Sequence, residues 1–256
     1  MEYPKINFGT YRLKDPVVLN KSLETAFMNN YRGIDTASLY GNQQIIGNYI
    51  KTNEINRNDI FITSKLNPKN TKNEDDIIKC ITNTLNELQT DYIDLFLLHC
   101  PDNIILCWDI IERFHNMGIL RNIGVSNHSI HNMMTIMNHS TTKIFTNQIE
   151  LTPFLRRYDT VQFMKDNNII ISAHSSLTKG EMLHHETLKE LAKKYNTTSA
   201  QILLQWGLEN DYIVMPRSKD PLHIKENINI NFKLNDDINI LNSIQEKYIT
   251  HPKYDF

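Results

Sequence analysis

Residues Tyr92–His99 read YIDLFLLH, an apolar run without polar alternation that ends on an imidazole. Continuous apolarity over so few residues fits a strand covered on both faces, the setting of a parallel sheet flanked by helices. Seven further runs of this kind lie along the chain. They are KINFGT from Lys5, YRGIDT from Tyr31, DIFITSK from Asp59, LRNIGVS from Leu120, KIFTNQIE from Lys143, NIIISAHS from Asn168 and DYIVMPRS from Asp211. Between them lie segments with helical apolar spacing, among them Asp75–Leu88, Ile105–His115, Arg157–Asp166, and Glu186–Tyr195 followed by Ser199–Leu208. Ser199 ahead of AQILLQW and Asp220-Pro221 ahead of LHIKEN supply helix-start signals. Eight strand signals separated by helices predict parallel strand–helix units.

At 256 residues the chain suits a barrel of eight such units, which typically needs about 250 residues. No repeat, low-complexity tract or Pro/Gly/Ser linker divides it, so residues 1–256 are expected to form one domain. The rival architecture is a doubly wound open sheet, whose dinucleotide-binding form wants G-x-G-x-x-G. The eight glycines stand at 9, 33, 41, 47, 118, 124, 180 and 207 and never fall two apart. The expected fold is therefore an α/β (β/α)8 TIM barrel in a single domain.

A net charge of −2 is not the electrostatic footprint of a nucleic-acid binder. No apolar stretch approaches the roughly 18 residues of a membrane span, and MEYPKINFGTYRL lacks the apolar core of a signal peptide. Cys80, Cys100 and Cys107 are odd in number and form no C-x-x-C pair. Reduced thiols in a cytoplasmic protein are the expectation. His184 and His185 are adjacent, so their side chains diverge, and no metal site is expected.

Asp35 closes YRGID, Lys65 closes IFITSK, His99 closes the opening stretch, and Tyr40 lies in the turn after Asp35. In a barrel of this class functional side chains come from the C-terminal ends of strands, so these residues converge on one rim. A phenol with a pKa of about 10 is a poor acid at neutral pH. A neighbouring ammonium favours the phenolate and makes Tyr40 a usable proton donor. Asp35 would keep Lys65 charged and in place, and His99 would hydrogen-bond a carbonyl oxygen. Each residue alone has an ordinary reading: a helix cap, rim packing, solvated surface or a satisfied backbone contact. Spacing alone reaches a barrel enzyme doing acid–base work.

The motifs go further. GIDTASLYGNQQIIG, FITSKL, LQTDYIDLFLLHCP, IGVSN, TNQIE, AHSSL and VMPRSKDPLHIKEN follow one another in an order that resembles the aldo-keto reductase family, from FGTY (Phe8–Tyr11) to the closing HPKYDF. The resemblance implies Asp35, Tyr40, Lys65 and His99 as the catalytic set. It also implies NADPH, with NADH possible, bound extended across the rim. Gly9, Thr10, Tyr11 and Asp35 fall in its cofactor-side segments. Ser126, Asn127 and Gln148 would hold the nicotinamide carboxamide. His174 stands where the family usually has a Tyr that stacks on the nicotinamide. Ser175 and Leu177 would line the pyrophosphate. Arg217 and Ser218 would meet the adenosine 2′-phosphate, and Glu226 and Asn227 the adenine. A planar guanidinium suits a phosphate, whereas His223 replaces a common second Arg and leaves one cation fewer.

Cys100 replaces a Trp that commonly walls the substrate pocket, and Gln43 replaces a Glu whose role is local structure. Short loops and a truncated C-terminal tail, with the missing Trp, predict an open pocket. Tyr11, Trp108 and Phe154 are either apolar contacts there or core, and Cys100 is either an oxidation-sensitive thiol facing the site or a buried, inert one. The resemblance implies a monomer acting on a small carbonyl substrate, with neither nucleic acid nor membrane as partner. Three readings stand at this point. The first is NADP(H)-dependent reduction of aldehydes or ketones with Tyr40 as acid. The second is a nucleotide-binding sensor on a reductase scaffold. The third is a different barrel enzyme using Lys65 as a Schiff-base amine.

Overall fold

Each apolar run becomes a parallel strand, and each strand is shorter than its run. In the computed structural model, which describes residues 2–67, 72–245, 248 and 250, the strands are β1 (Asn7–Gly9), β2 (Gly33–Asp35), β3 (Phe61–Leu66), β4 (Leu95–Leu98), β5 (Ile123–Ser126), β6 (Thr146–Glu150), β7 (Ile170–His174) and β8 (Ile213–Val214). They pair in sequence order, all parallel. Ile6 bridges to Val214, Val214 N donates to Lys5 O at 2.9 Å, and Gly9 N donates to Pro216 O at 3.0 Å. These contacts bring the first strand against the last and close the sheet into a barrel. Gly9 is required there, since a Cβ would lie 2.8 Å from Met215 O.

The stretch Tyr92–His99 shows why the runs shorten. Ile93 makes an isolated parallel bridge to Leu120, but pairing with β3 begins at Leu95, where Asp94 spends its carboxylate on neighbours. It accepts from Ile62 N at 2.9 Å and from the Arg57 guanidinium at 2.6 Å. A buried carboxylate held this way anchors the entry of β3 beside β4 and leaves the strand proper wholly apolar.

The helices α1 (Pro16–Met28), α2 (Gln43–Thr52), α3 (Glu74–Leu88), α4 (Ile104–Asn116), α5 (Ile130–His139) and α6 (Tyr158–Asp166) follow the first six strands in turn. Two helices, α7 (Glu186–Lys194) and α8 (Ser199–Glu209), follow β7, and α9 (Pro221–Ile228) and α10 (Ile238–Asn242) follow β8. Asn73 caps α3 by accepting from Asp76 N, and three acidic residues in the first turn complement the helix dipole. The cap of α8 is Thr198 and not Ser199. Thr198 and Gln201 form a reciprocal capping box, which moves the start signal one residue upstream. Asp220 caps α9 with Pro221 at the first position, as the sequence predicted.

Large apolar side chains such as Trp108 and Trp206 fill the layer between sheet and helices. Inside the barrel, Tyr3, Phe61, Leu95, Leu97 and Ile213 form a second cluster, with Tyr3 stacked on Phe61 at 4.7 Å. Phe61, Leu95 and Ile213 are the first residues of their strands, so this cluster is the barrel floor. The opposite rim, at the strand C-termini, is left for polar side chains. No helix among the described residues is long and apolar enough to cross a membrane.

Candidate active site

Asp35 is the last residue of β2, Lys65 lies near the end of β3, and His99 follows β4 directly. Tyr40 ends a single helical turn, Ser38–Tyr40, that closes on Gly41 in the left-handed region at φ 65°. The Ser38 hydroxyl ties that turn to β3 by donating to Lys65 O at 2.8 Å. Lys65 Nζ then donates to Asp35 Oδ1 at 2.6 Å, to Thr36 O at 3.0 Å and to Tyr40 Oη at 3.4 Å. The Lys65 and Asp35 side chains are 1% and 6% exposed. Charges this deep persist only when paired and hydrogen-bonded. The second Asp35 oxygen meets that need by accepting from Gln148 Nε2 at 2.7 Å.

The rings of Tyr40 and His99 meet edge to face at 5.9 Å, and Tyr11 packs on Tyr40 at 5.1 Å. Tyr40, His99 and Asp35 open onto a cavity of about 580 Å³, within the roughly 300–1,000 Å³ common for small-molecule and cofactor sites. The sequence-predicted residues Gly9, Tyr11, Ser126, Asn127, Gln148, His174, Ser175, Leu177, Arg217, Ser218, His223, Glu226 and Asn227 line the same cavity. Thr10 is the exception. It is buried, and its hydroxyl donates to Asp35 O at 2.9 Å, so it supports the strand end and does not reach the cavity.

One wall is a continuous hydrogen-bonded corner. Ser126 Oγ donates to Gln148 O at 2.9 Å. Asn127, held at φ 59°, donates its amide nitrogen to Ser126 Oγ at 3.1 Å and to His99 O at 3.2 Å. Asn127 Oδ1 faces His174 Nε2 at 2.8 Å, and His174 Nδ1 lies 3.1 Å from Ser175 Oγ. At the far end of the cavity Arg217 and His223 are exposed, and Ser218 Oγ accepts from Asp220 N.

Of the segment between β7 and α7, sequence reasoning named only Ser175 and Leu177. Lys179, Gly180, Leu183 and His184 line the cavity from there, and Leu39 and Met215 line it from other loops. Ser175, Thr178, Lys179 and Gly180 all have positive φ, from 52° to 89°. The Lys179-Gly180 dipeptide was the only local sign of this turn. The structure decides between readings that the sequence left open. Trp108 and Phe154 are core, 0% and 2% exposed, so Tyr11 alone of the three aromatic candidates reaches the cavity. Cys100 does not line it. It is buried, and its thiol donates to Asp102 Oδ2 at 2.8 Å, which turns it from the pocket. Gln43 acts in local structure, accepting from Ser64 Oγ at 2.5 Å and donating to Glu87 Oε2 at 2.9 Å. No group of three or more His, Cys, Asp or Glu among the described residues is placed to hold a metal ion.

Behind Asn127, His128 is fully buried with Nδ1 2.9 Å from Ser126 O. Burial pushes its pKa down from 6.5 to about 4. The unfolded chain therefore binds a proton that the folded chain refuses. Stability from this group is complete above about pH 6.5 and is lost as pH falls towards about 4, by about 3 kcal/mol in all. Thermal unfolding should show that acid slope in the native protein and lose most of it in His128→Gln. An equal slope in the variant would assign it elsewhere.

Comparison with known proteins agrees with the geometry. The family model described as "Aldo/keto reductase family" matches residues 5–246. A protein named glyoxal reductase from Bacillus subtilis (strain 168) is 32% identical over 236 residues, covering 90% of this chain and 84% of the relative. The methylglyoxal reductase DkgB of Yersinia pestis is 34% identical over 234 residues, covering 89% and 87%. Among solved structures, an aldo-keto reductase enzyme from a Medee basin deep-sea metagenome library superposes with a TM-score of 0.94. It is 30% identical and covers all of this chain and 96% of its own.

Proposed function

Because the chain belongs to the aldo/keto reductase family, NAD(P)H-dependent oxidoreductases of carbonyl groups, we propose that it reduces small aldehydes and ketones to alcohols with NADPH. Short dicarbonyls of the glyoxal and methylglyoxal type, named for two relatives, are the favoured substrates. The observation that carries this reading is Lys65 Nζ, 2.6 Å from a buried carboxylate and 3.4 Å from a phenol that opens onto the cavity.

The residues present fit the cofactor. Asn127 and Gln148 offer amides beside Tyr40 and His99, and Arg217 and Lys179 offer cations farther along the same cavity. Bound there, reduced nicotinamide supplies a hydride to the carbonyl carbon. Tyr40 gives its phenolic proton to the carbonyl oxygen as negative charge develops on it. Lys65 stabilises the phenolate that results, since a fixed ammonium beside an oxyanion favours the charged form. Asp35 and Thr36 O hold the ammonium in place, and Gln148 holds Asp35. His99 orients the substrate oxygen towards Tyr40. The substrate edge is bounded by Tyr11 and Leu39, 41% and 42% exposed. A rim this open favours short, hydrated substrates over long apolar ones.

Arg217 would meet the 2′-phosphate, with His223 lining the same cavity. Steady-state turnover of methylglyoxal tests both parts of the proposal. NADPH should be preferred over NADH, and Arg217→Ala should cut that preference about fivefold to tenfold, the scale of one exposed charge-assisted contact. Equal preference before and after the substitution would remove Arg217 from the nucleotide site.

A further inference from the structure

Asp35 and Lys65 stand on strands and His99 directly follows one, whereas Tyr40 lies beyond β2 on a single helical turn. Its oxygen must still stay beside Lys65 Nζ, at 3.4 Å, because the attraction between an ammonium and a developing phenolate falls with distance. The β2–β3 ladder almost reaches the turn. Rungs of a parallel ladder recur at every second residue of a strand. Thr36 N donates to Thr63 O at 2.9 Å, so the ladder runs on past Asp35. The next rung from that side would be Ser38 N to Lys65 O. Ser38 has already entered the turn, and its side chain makes the bond instead, with Oγ donating to Lys65 O at 2.8 Å.

A carbonyl only accepts, so the Ser38 hydroxyl proton is committed to Lys65 O. The same oxygen accepts from the Cys80 thiol on α3 at 3.5 Å. Burial pushes the Cys80 pKa up, so the sulfur keeps the proton that it donates. On the other side of the turn a Cβ built on Gly41 would meet nothing within 4 Å among the described residues. Packing does not confine the turn from there. Asn42, just beyond it, donates to Thr10 O at 2.9 Å and to Leu13 O at 3.0 Å. That anchor ties the far end to the loop after β1, and Ser38 ties the near end to β3.

We propose that Ser38 is a positioning residue for carbonyl reduction, holding the Tyr40 turn against Lys65 by supplying the last rung of the β2–β3 ladder from its hydroxyl. The inference rests on the reading of Tyr40 as the proton donor. Leu39 and Tyr40 line the cavity and Ser38 does not. Ser38 therefore acts through Tyr40 and not on substrate or cofactor. Lys65 in turn holds the acid twice, through its ammonium on the phenol oxygen and through its carbonyl on the turn that carries the phenol.

Steady-state reduction of methylglyoxal with NADPH by four proteins tests this: native, Ser38→Ala, Tyr40→Phe and the double variant. Ser38→Ala should lower kcat and kcat/KM together by about 10- to 100-fold, the scale of a reacting group displaced by about 1 Å. The NADPH dissociation constant, measured by isothermal titration calorimetry, should not move. In the Tyr40→Phe background the same substitution should change turnover by less than about twofold, because the oxygen that Ser38 positions is gone. Ser38→Thr keeps the hydroxyl and should keep most of the native kcat. Three results overturn the inference alone: native kcat in Ser38→Ala, a double variant slowed by the full product of the two single effects, or Ser38→Thr as slow as Ser38→Ala. Native protein that consumes no NADPH with the aldehyde, or Tyr40→Phe protein with native turnover, overturns the reading of the site and this inference with it.

Discussion

Tyr40→Phe lowers kcat for carbonyl reduction by about 10²–10⁴-fold, the range contributed by a positioned general acid, and leaves the dissociation constant for NADPH unchanged. The substitution removes one oxygen and keeps the ring. The edge contact with His99 and the packing of Tyr11 depend on the ring alone. The lost oxygen is the outermost of three partners of Lys65 Nζ, so the ammonium stays anchored by Asp35 and Thr36 O. Structure and cofactor binding survive while the proton source is gone. The same loss from Tyr40→Phe in both kcat and kcat/KM would mark an interaction made in the transition state. Turnover of Tyr40→Phe within a few-fold of native would take the acid role away from Tyr40.

The second large effect is on stability. Lys65→Met should lower the unfolding free energy by about 3–5 kcal/mol, because it leaves Asp35 buried as an uncompensated charge. Gln148 remains as one donor to Asp35 but carries no charge. The double variant Asp35→Asn with Lys65→Met removes both charges and should regain much of that loss, since a neutral amide still accepts from Gln148. Neither variant should reduce carbonyls at an appreciable rate. Urea unfolding of the three proteins measures the coupling. A double variant no more stable than Lys65→Met would mean that volume, and not the unpaired charge, sets the cost.

Much of this was legible in the chain because the relevant patterns are local. A parallel barrel strand is apolar on both faces, so YIDLFLLH and NIIISAHS announce themselves without their partners. The residue that ends such a run is delivered to the rim by the fold, which is why Asp35, Lys65 and His99 were readable together. What stayed hidden depends on pairing between distant segments. The strand start at Leu95 is set by Asp94 reaching Ile62 and Arg57. The placement of Thr10 is set by Asp35 O, and that of Cys100 by Asp102 Oδ2. Trp108 and Phe154 were equally apolar whether they faced core or cavity, and only packing decided. Beyond Ser175 and Leu177 the segment after β7 was missed, because successive left-handed residues such as Thr178 and Lys179 carry no distinctive side-chain signature.

The central claim is that this cavity brings a hydride from reduced nicotinamide to a carbonyl carbon while the buried Lys65 supports Tyr40. Reduction of methylglyoxal by native protein with NADPH deuterated at the transferring C4 position tests it most directly, read by mass spectrometry of the alcohol. The account predicts one deuterium on the former carbonyl carbon for each cofactor consumed. Cofactor that binds but is not consumed with any carbonyl of a small panel would contradict it and leave a nucleotide-binding sensor as the reading.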